Sequence, residues 1–297
     1  MKNNQPHKAG FINIIGNPNT GKSTFLNSML NYQLAITTPK AQTTRHRILG
    51  ILNGENYQIV FSDTPGIINP AYEMQTLMLN NVKEALEDAD ILLYMTQPGD
   101  KKPKNPELFE QLRKTPVPTA VLINKIDISN QNSVEQAVGY WKTILPQAKI
   151  LPISALLGFG LDQVKKFILD NLPEAPPYFD KDQLTDRPER FLVSEKIREK
   201  ILLFYKKEIP YAVEVVVDSF KETDDKIHIN ATIYVERDTQ KGILIGHKGE
   251  AIKRTGMAAR KDLEALFGKK IRLDLFVKVR KNWRKSDLWL KNFGYKQ

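Results

Sequence analysis

The sequence predicts an α/β domain with a mostly parallel sheet and helices on both faces, followed by a smaller α+β domain. Over residues 11–171, apolar strand-like runs alternate regularly with helix-like segments. This pattern changes after a proline-rich stretch at 173–177. A chain of 297 residues with 41 % apolar content can also form two cores. We therefore predict a first domain at 1–173, a linker at 174–187 and a second domain at 188–297.

Each element of the first domain follows from its periodicity and its flanking turn residues. The dipeptide Asn53-Gly54 favours a tight hairpin between the second and third strands, which makes one edge of the sheet antiparallel. Pro173 and its neighbours end the last helix, because proline cannot continue one. Strands are predicted at 11–16, 47–53, 57–62, 90–96, 117–123 and 148–153, and helices at 21–30, 74–88, 105–114, 132–142 and 161–171.

The second domain begins with an amphipathic pattern and continues with alternating segments. The predicted order is a helix, a hairpin of two strands, a short aliphatic strand, a glycine turn, a helix, a strand and a basic tail. The helices are predicted at 188–207 and 250–267, and the strands at 212–220, 226–236, 243–245 and 270–279.

A phosphate-binding loop is predicted at the end of the first strand. The pattern of Gly, four residues and Gly-Lys-Ser follows an apolar run and precedes a helix, which places backbone N–H groups around an anion. Lys22 would reach the outer phosphates and Ser23 would ligate Mg²⁺. The loop residues are Gly16, Asn17, Pro18, Asn19, Thr20, Gly21, Lys22, Ser23 and Thr24.

Three further segments, each at the end of a predicted strand, indicate that the nucleotide is GTP or GDP. Asp127 can accept hydrogen bonds from guanine N1–H and the 2-amino group, whereas adenine has no such amino group. Ser154-Ala155 carries the least information, since this dipeptide is common. In chain order, the predicted nucleotide-binding residues are Asp63, Thr64, Pro65, Gly66, Asn124, Lys125, Asp127, Ser154 and Ala155.

The loop at 35–47 is rich in threonine and is long for an α/β unit, so we interpret it as a nucleotide-sensing switch. Thr43 and Thr44 are both candidates for the Mg²⁺ contact, and we prefer Thr44. The predicted metal ligands are Ser23, Thr44 and Asp63, and the predicted catalytic residues are Lys22, Thr44 and Gly66. Many GTPases have a Gln directly after the position of Gly66, where it orients the attacking water. In this chain Gly66 is followed by Ile67 and Ile68, which predicts slow hydrolysis.

The charge lies almost entirely in the C-terminal part of the chain. Residues 181–297 contain 27 basic and 18 acidic side chains, hence +9 of the total of +10. This asymmetry predicts a polyanionic partner for the second domain: nucleic acid or an anionic membrane surface, unless the charge is merely solvated. The chain has no cysteine, no membrane-spanning apolar run and a polar segment at 1–10, so we expect a cytoplasmic protein.

A Gly-x-x-Gly turn in the second domain predicts an RNA-binding KH domain. Such a turn at a helix start lets a nucleic-acid backbone approach the main chain closely. The basic tail around Trp283 would add phosphate contacts and base stacking, unless it is only a solvated helix. The predicted RNA-binding residues are Ile245, Gly246, His247, Lys248, Gly249, Lys253, Arg254, Lys281, Arg284 and Lys285.

Over about residues 8–293, the chain resembles the Era family of bacterial ribosome-assembly GTPases, which join an Era/TrmE-like P-loop GTPase domain to a type II KH domain. The resemblance includes the nucleotide segments above, together with 42–46, 185–187, 191–201 and 245–249. It implies binding near the 3′ end of 16S rRNA, a role in assembly of the 30S subunit, and partial peripheral association with the cell membrane. We expect a monomer. GTPases that are similar can also hold K⁺ through an Asn four residues before the loop Ser, here Asn19, unless that side chain only shapes the turn.

Three functions remain open from the sequence. The first is a GTP-switched rRNA-binding assembly factor. The second is a GTPase whose basic domain docks on anionic membrane. The third is an RNA-binding module in which the GTPase domain only adds stability. Nucleotide-dependent RNA affinity distinguishes the first from the third, and a salt-sensitive preference for liposomes over RNA identifies the second.

Overall fold

A computed structural model describes residues 6–100 and 105–296, so residues 1–5 of the polar N-terminal segment lie outside the described part. The chain forms two compact units. The first comprises Met1–Ala35, Thr44–Ala71 and Met78–Asp186, and the second comprises Ile36–Thr43, Tyr72–Leu77 and Arg187–Gln297. Among the described residues, no helix combines the length and the apolar character needed to cross a bilayer.

The first unit has a six-stranded sheet of order β2-β3-β1-β4-β5-β6, in which only the β2–β3 pair is antiparallel. This confirms the predicted fold class. All six residues of β4 are buried, as expected for a central strand of a sheet that is covered on both faces. The strands are β1 (Lys8–Gly16), β2 (Ile48–Asn53), β3 (Tyr57–Asp63), β4 (Ile91–Thr96), β5 (Thr119–Ile123) and β6 (Lys149–Pro152).

Four helices of this unit, α1, α3, α4 and α5, begin at an asparagine cap or a glycine turn. Asn105 caps α3 by accepting a hydrogen bond from the Leu108 N–H, with proline in the first turn. Asn130 caps α4 in the same way through the Ser133 N–H. Trp141 of α4 is fully buried against Tyr94 of β4, in the core between helices and sheet. The helices are α1 (Lys22–Leu30), α2 (Glu73–Glu87), α3 (Pro106–Lys114), α4 (Gln131–Ile144) and α5 (Leu161–Asn171). The first residues of α2, up to Leu77, belong to the second unit.

The strand order brings the predicted nucleotide segments to one edge of the sheet. The parallel strands β1, β3, β5 and β6 all run in the same direction, so their carboxyl ends meet at that edge. The predicted motifs follow these four strands. Ligands of open α/β sheets bind at this edge as a rule.

The segment predicted as a linker at 174–187 is irregular but belongs to the first unit up to Asp186. It differs from a free linker because its backbone is hydrogen-bonded to β2 and β3. The N–H groups of Tyr178 and Phe179 donate to Gln58 Oε1 at 2.7 and 3.0 Å, and the Ile51 N–H donates to the Leu184 carbonyl at 2.9 Å. The bond from Ile51 satisfies a backbone group that the edge strand β2 would otherwise expose.

The second unit contains a three-stranded sheet of order β7-β8-β9, with an antiparallel β7–β8 hairpin and a parallel β8–β9 pair. Its core lies between the helices and the sheet face that includes Ile229 and Ile233 of β8. The elements are α6 (Glu189–Phe204), α7 (Ile209–Ala212), β7 (Glu214–Glu222), β8 (Lys226–Val235), α8 (Asp238–Ile245), α9 (Glu250–Phe267), β9 (Lys270–Val279) and α10 (Asp287–Asn292).

One element type was predicted wrongly: residues 243–245 end the helix α8 and do not form a strand. At the start of the helix, the backbone N–H of Arg237 donates to Gln240 Oε1 at 3.1 Å. Within the apolar run, Leu244 lies on the buried face of this helix, whereas Ile243 lies on its exposed face. A run of three apolar residues is too short for its periodicity to separate the two structures.

The base stacking expected of the basic tail does not fit the position of Trp283. This side chain is fully buried, its indole N–H donates to the Ala212 carbonyl at 3.0 Å, and Phe293 lies edge-on to its ring. The surrounding residues form a short 3₁₀ turn at Trp283–Lys285. Trp283 is therefore a core residue that fixes the tail, and it cannot stack on a base.

Candidate nucleotide and nucleic-acid sites

The loop between β1 and α1 has the tight geometry of a phosphate cradle. A Cβ at Gly16 would lie 2.1 Å from the Met95 carbonyl oxygen, so only glycine fits there. Lys22 is buried at the start of α1, and its Nζ donates to the carbonyls of Gly16 and Asn17 at 3.1 and 2.9 Å. The ammonium group thus folds back over the loop, where it can meet an anion held at the helix N-terminus.

Burial lowers the pKa of Lys22 to about 8, although the nearby Asp63 carboxylate opposes this shift. A phosphate group beside Nζ would add negative charge and favour the charged ammonium. The loop is therefore suited to an anionic ligand on electrostatic as well as geometric grounds.

Three oxygen-bearing side chains converge beside this lysine. The Ser23 and Thr44 hydroxyls both donate to Asp63 Oδ2, at 2.6 and 3.1 Å, and lie 2.9 Å from each other. Burial raises the pKa of Asp63, while Ser23, Lys22 and Thr44 counteract the shift. Within the described residues its second oxygen, Oδ1, is buried and has no hydrogen-bond partner. A hard divalent cation such as Mg²⁺ prefers these all-oxygen donors, so the residues present fit such an ion.

The two candidate threonines of the switch segment lie in different surroundings. Thr44 is buried in the cluster with Ser23 and Asp63. The Thr43 hydroxyl instead donates to the Lys40 carbonyl at 2.7 Å and lies 2.7 Å from the Thr38 hydroxyl. This geometry favours Thr44 over Thr43 as a metal ligand.

Asn124 braces two of the predicted nucleotide segments. Its side-chain Nδ2 donates to the Thr20 carbonyl at 2.8 Å, and its Oδ1 accepts a hydrogen bond from the Ala155 N–H at 2.9 Å. Ser28 of α1 donates to the Ala155 carbonyl at 2.7 Å. The buried amide of Asn124 therefore has a structural role, because it links the phosphate loop to the segment after β6.

The predicted base-binding residues lie at the same edge and are accessible. Lys125 has a left-handed backbone (φ 65°), and its Nζ donates to the Asn19 carbonyl at 2.6 Å. Asp127 follows in a 3₁₀ turn, Ile126–Ile128, and is exposed. Its side chain is therefore available to a ligand that approaches the segment after β5.

The segment after β3 is anchored tightly to the phosphate loop. Thr64 Oγ1 donates to the Ile14 carbonyl at 2.7 Å, and the Ile67 N–H donates to the Gly16 carbonyl at 3.0 Å. A Cβ at Gly66 would lie 2.7 Å from the Pro18 Cα, so the two loops touch there. Ile67 is fully buried in the core and cannot orient a water molecule.

In the second unit, the Gly-x-x-Gly turn presents two polar side chains to solvent. Gly246 has φ 72°, and a Cβ there would lie 2.6 Å from the Cβ of Ala251, so glycine is required. His247 and Lys248 are both exposed, and Lys248 has a left-handed backbone (φ 46°). The turn leads directly into α9.

A groove lies between β9 and α9, the helix that follows this turn. Gly256 lies against Leu275, since a Cβ there would approach Leu275 Cδ1 to 3.3 Å, and Met257 is exposed at the rim. Sequence reasoning identified only Lys253 of this lining. A small residue on the strand-facing side of an otherwise amphipathic helix is the signal that could have found the rest. The lining residues are Ile252, Lys253, Gly256, Met257, Arg260, Ile271, Arg272, Leu273 and Leu275.

The other predicted RNA-binding cations differ in their availability. Lys281 and Lys285 are exposed. The Arg254 guanidinium stacks over Phe204 at 4.9 Å, and Arg284 is paired with Glu236 and lies over the Tyr72 ring. The structure thus gives both arginines protein partners, while the lysines face solvent.

Comparisons with known proteins match both units. A family model described as a KH domain matches residues 208–284, and one described as a 50S ribosome-binding GTPase matches residues 11–125. A point variant of Aquifex aeolicus Era bound to GDP and AlF₄⁻ is 37 % identical, with a TM-score of 0.93 over 98 % of this chain and 100 % of its own. Era in complex with MgGDPNP and nucleotides 1506–1542 of 16S ribosomal RNA is 38 % identical, with the same TM-score and coverage.

Proposed function

The chain belongs to the Era family of GTPases, and we propose that it is a slow GTPase switch that binds the 3′ region of 16S rRNA and assists 30S subunit assembly. The observation that carries this proposal is the cluster of Ser23, Thr44 and Asp63 beside the buried Lys22. A relative of similar length was solved with MgGDPNP and 16S rRNA, which supports both halves of the proposal.

In this proposal, the phosphate loop binds GTP or GDP through its backbone and Lys22. The first N–H groups of α1 have no intrahelical partners, so they can donate to phosphate oxygens. Ser23, Thr44 and Asp63 would hold Mg²⁺, which neutralises charge on the phosphates when bound. Asp127 would accept the guanine N–H groups, while Asn124 and Lys125 fix the base loop by their contacts to Thr20 and Asn19.

Hydrolysis without a partner should be slow. In GTP hydrolysis, a side chain that orients the attacking water, together with an added cationic group, usually raises the rate by several orders of magnitude. The residue that follows Gly66 is Ile67, which is buried and apolar. The remaining protein groups stabilise charge and position phosphates, but they do not orient a water through a side chain.

The proposed RNA site is the groove beside the Gly-x-x-Gly turn. Its floor is apolar, and Lys253, Arg260 and Arg272 line it with positive charge. Such a groove suits unstacked single-stranded bases, with the phosphate backbone at the turn around Lys248. Cytoplasmic location, a monomeric state and peripheral binding to the anionic inner membrane stay predictions. Vesicles containing anionic lipid, compared with rRNA at two salt concentrations, would test the membrane alternative.

Asp127→Asn tests the base pocket. The substitution turns one guanine contact into a donor facing a donor, so GTP affinity should fall by about 1.5–3 kcal/mol. Xanthosine triphosphate should gain affinity, because its 2-oxo group accepts a hydrogen bond. Nucleotide titration measures both, with the exposed Asp162→Asn as control. An unchanged ratio of GTP to XTP affinity would remove Asp127 from the base pocket.

A double substitution, His247→Asp with Lys248→Asp, tests the RNA site. Two carboxylates at the turn should repel the phosphate backbone and abolish binding of a 16S rRNA 3′ fragment, whereas GTP affinity should not change. The matched control, Gln147→Asp with Lys149→Asp, makes the same change of charge at exposed positions of the first unit. Wild-type rRNA binding by the double Asp variant at the turn would show that the KH assignment is wrong.

The nucleotide switch is tested by titrating the same rRNA fragment into the wild-type protein, first with GDP and then with a non-hydrolysable GTP analogue. The switch predicts different rRNA affinities in the two nucleotide states.

A K⁺ requirement is the third test. Asn19 precedes Ser23 by four residues, and positive charge between the β- and γ-phosphates would stabilise the transition state. The competing role is local: Asn19 has φ 63°, a conformation that asparagine tolerates well. We expect faster hydrolysis in K⁺ than in Na⁺ at constant ionic strength, with the difference lost in Asn19→Ala. Equal wild-type rates in both salts would rule out the K⁺ site.

A further inference from the structure

The switch segment 36–43 packs within the second unit, against the helix α6. The Thr37 N–H donates to Glu199 Oε1 at 3.2 Å. The Lys40 ammonium donates to the carbonyls of Leu202 and Tyr205 at the end of α6. A cation at this position satisfies carbonyls that have no partner within the helix and interacts favourably with the helix dipole.

Arg198 contacts the last two residues of this segment, which directly precede Thr44 in the chain. Its side chain is buried, with 1 % of its surface exposed. Nη1 donates to the Gln42 carbonyl at 3.4 Å, and Nη2 donates to the Thr43 carbonyl. Glu195 holds the guanidinium in place from one turn earlier, with hydrogen bonds of 2.7 Å from Nε and 2.6 Å from Nη2.

This arrangement constrains the backbone immediately before Thr44. Two consecutive carbonyls are fixed by one planar group, whose own position is set by a bidentate ion pair. A buried ion pair of this kind adds little net stability, because desolvation offsets the attraction. The pair does fix the position of the guanidinium, because a buried charge that lost its partner would be strongly destabilising. The peptide bond from Thr43 transmits that geometry directly to Thr44.

We propose that Arg198 is a positioning residue for the Mg²⁺–GTP state, acting through the carbonyls of Gln42 and Thr43 to place the Thr44 hydroxyl beside Ser23 and Asp63. This inference rests on the proposed metal role of Thr44. Because the contact of a switch threonine depends on the γ-phosphate state, Arg198 should favour GTP over GDP without touching either nucleotide. The guanidinium acts on the switch backbone through its hydrogen bonds to the carbonyls of Gln42 and Thr43.

Arg198→Lys is the discriminating variant. Lysine keeps a positive charge beside Glu195, but it cannot donate in parallel to two carbonyls. In Mg²⁺, the affinity for a non-hydrolysable GTP analogue should fall roughly tenfold, while GDP affinity stays within about twofold of wild type. Arg190→Lys, an exposed position in the same helix, is the matched control and should change neither. Thermal unfolding of each variant checks that it is folded.

A double-mutant cycle with Thr44→Ala separates this inference from the proposed function. If Arg198 acts through Thr44, then Arg198→Lys should have no further effect on the ratio of GTP-analogue to GDP affinity in the Thr44→Ala background. Additive effects would overturn the positioning role. A Thr44→Ala variant with the wild-type ratio would instead show that the proposed metal role of Thr44 is wrong.

Lys40→Met provides an independent test, because it leaves the buried ion pair intact. Loss of the ammonium from the end of α6 loosens the same segment, so the GTP-analogue affinity should fall several-fold with GDP affinity unchanged. Equal losses for both nucleotides in Arg198→Lys and Lys40→Met would indicate a general structural effect and would overturn the proposal.

Discussion

A buried carboxylate at the end of β3 is the constraint around which the nucleotide site is organised. Asp63 is fully buried, and its burial raises its pKa. A charge in such a place is tolerated only when hydrogen bonds and counter-charges compensate for lost hydration. Lys22 and Ser23 of the phosphate loop and Thr44 of the switch segment supply that compensation. The chemistry of Mg²⁺ and phosphate binding follows from their convergence.

Preorganisation of the surrounding loops lowers the cost of binding. Lys22 caps loop carbonyls, Asn124 links the phosphate loop to the segment after β6, and Ile67 fixes the turn after β3 through the Gly16 carbonyl. Each bond fixes one segment of the site, and a site with ordered loops loses less conformational entropy on binding. The switch segment 36–43 differs, because side chains of α6 hold its backbone at Thr37, Gln42 and Thr43.

The sequence allowed the fold class and the nucleotide motifs to be predicted, because both depend on local patterns. Alternation of strands and helices, the glycine loop and the polar residues at strand ends are visible without tertiary information. The predictions that failed depended on long-range packing. Trp283 looks exposed among Lys281, Arg284 and Lys285, yet it is buried beneath Phe293. Residues 243–245 were too few to show a helical period.

The role of Arg198 was hidden for a related reason. The run of charges at 195–200 has the composition of a solvated helix face, and only the tertiary structure shows that Glu195 and Arg198 are buried against the switch backbone. The α9–β9 groove likewise requires two elements that are joined only in space. Sequence reasoning found residues whose type carries the chemistry, and it missed those whose role is set by their neighbours.

The most direct test of the account is the Mg²⁺ dependence of GTP-analogue affinity in wild type and in Asp63→Asn. The amide keeps the shape of the side chain and removes its charge, so the cluster should no longer attract the ion. We predict that Mg²⁺ strengthens binding to wild type and to the exposed control Asp170→Asn, and that this gain is largely lost in Asp63→Asn. A full Mg²⁺ effect in Asp63→Asn would contradict the assignment of the buried carboxylate as the centre of the metal site.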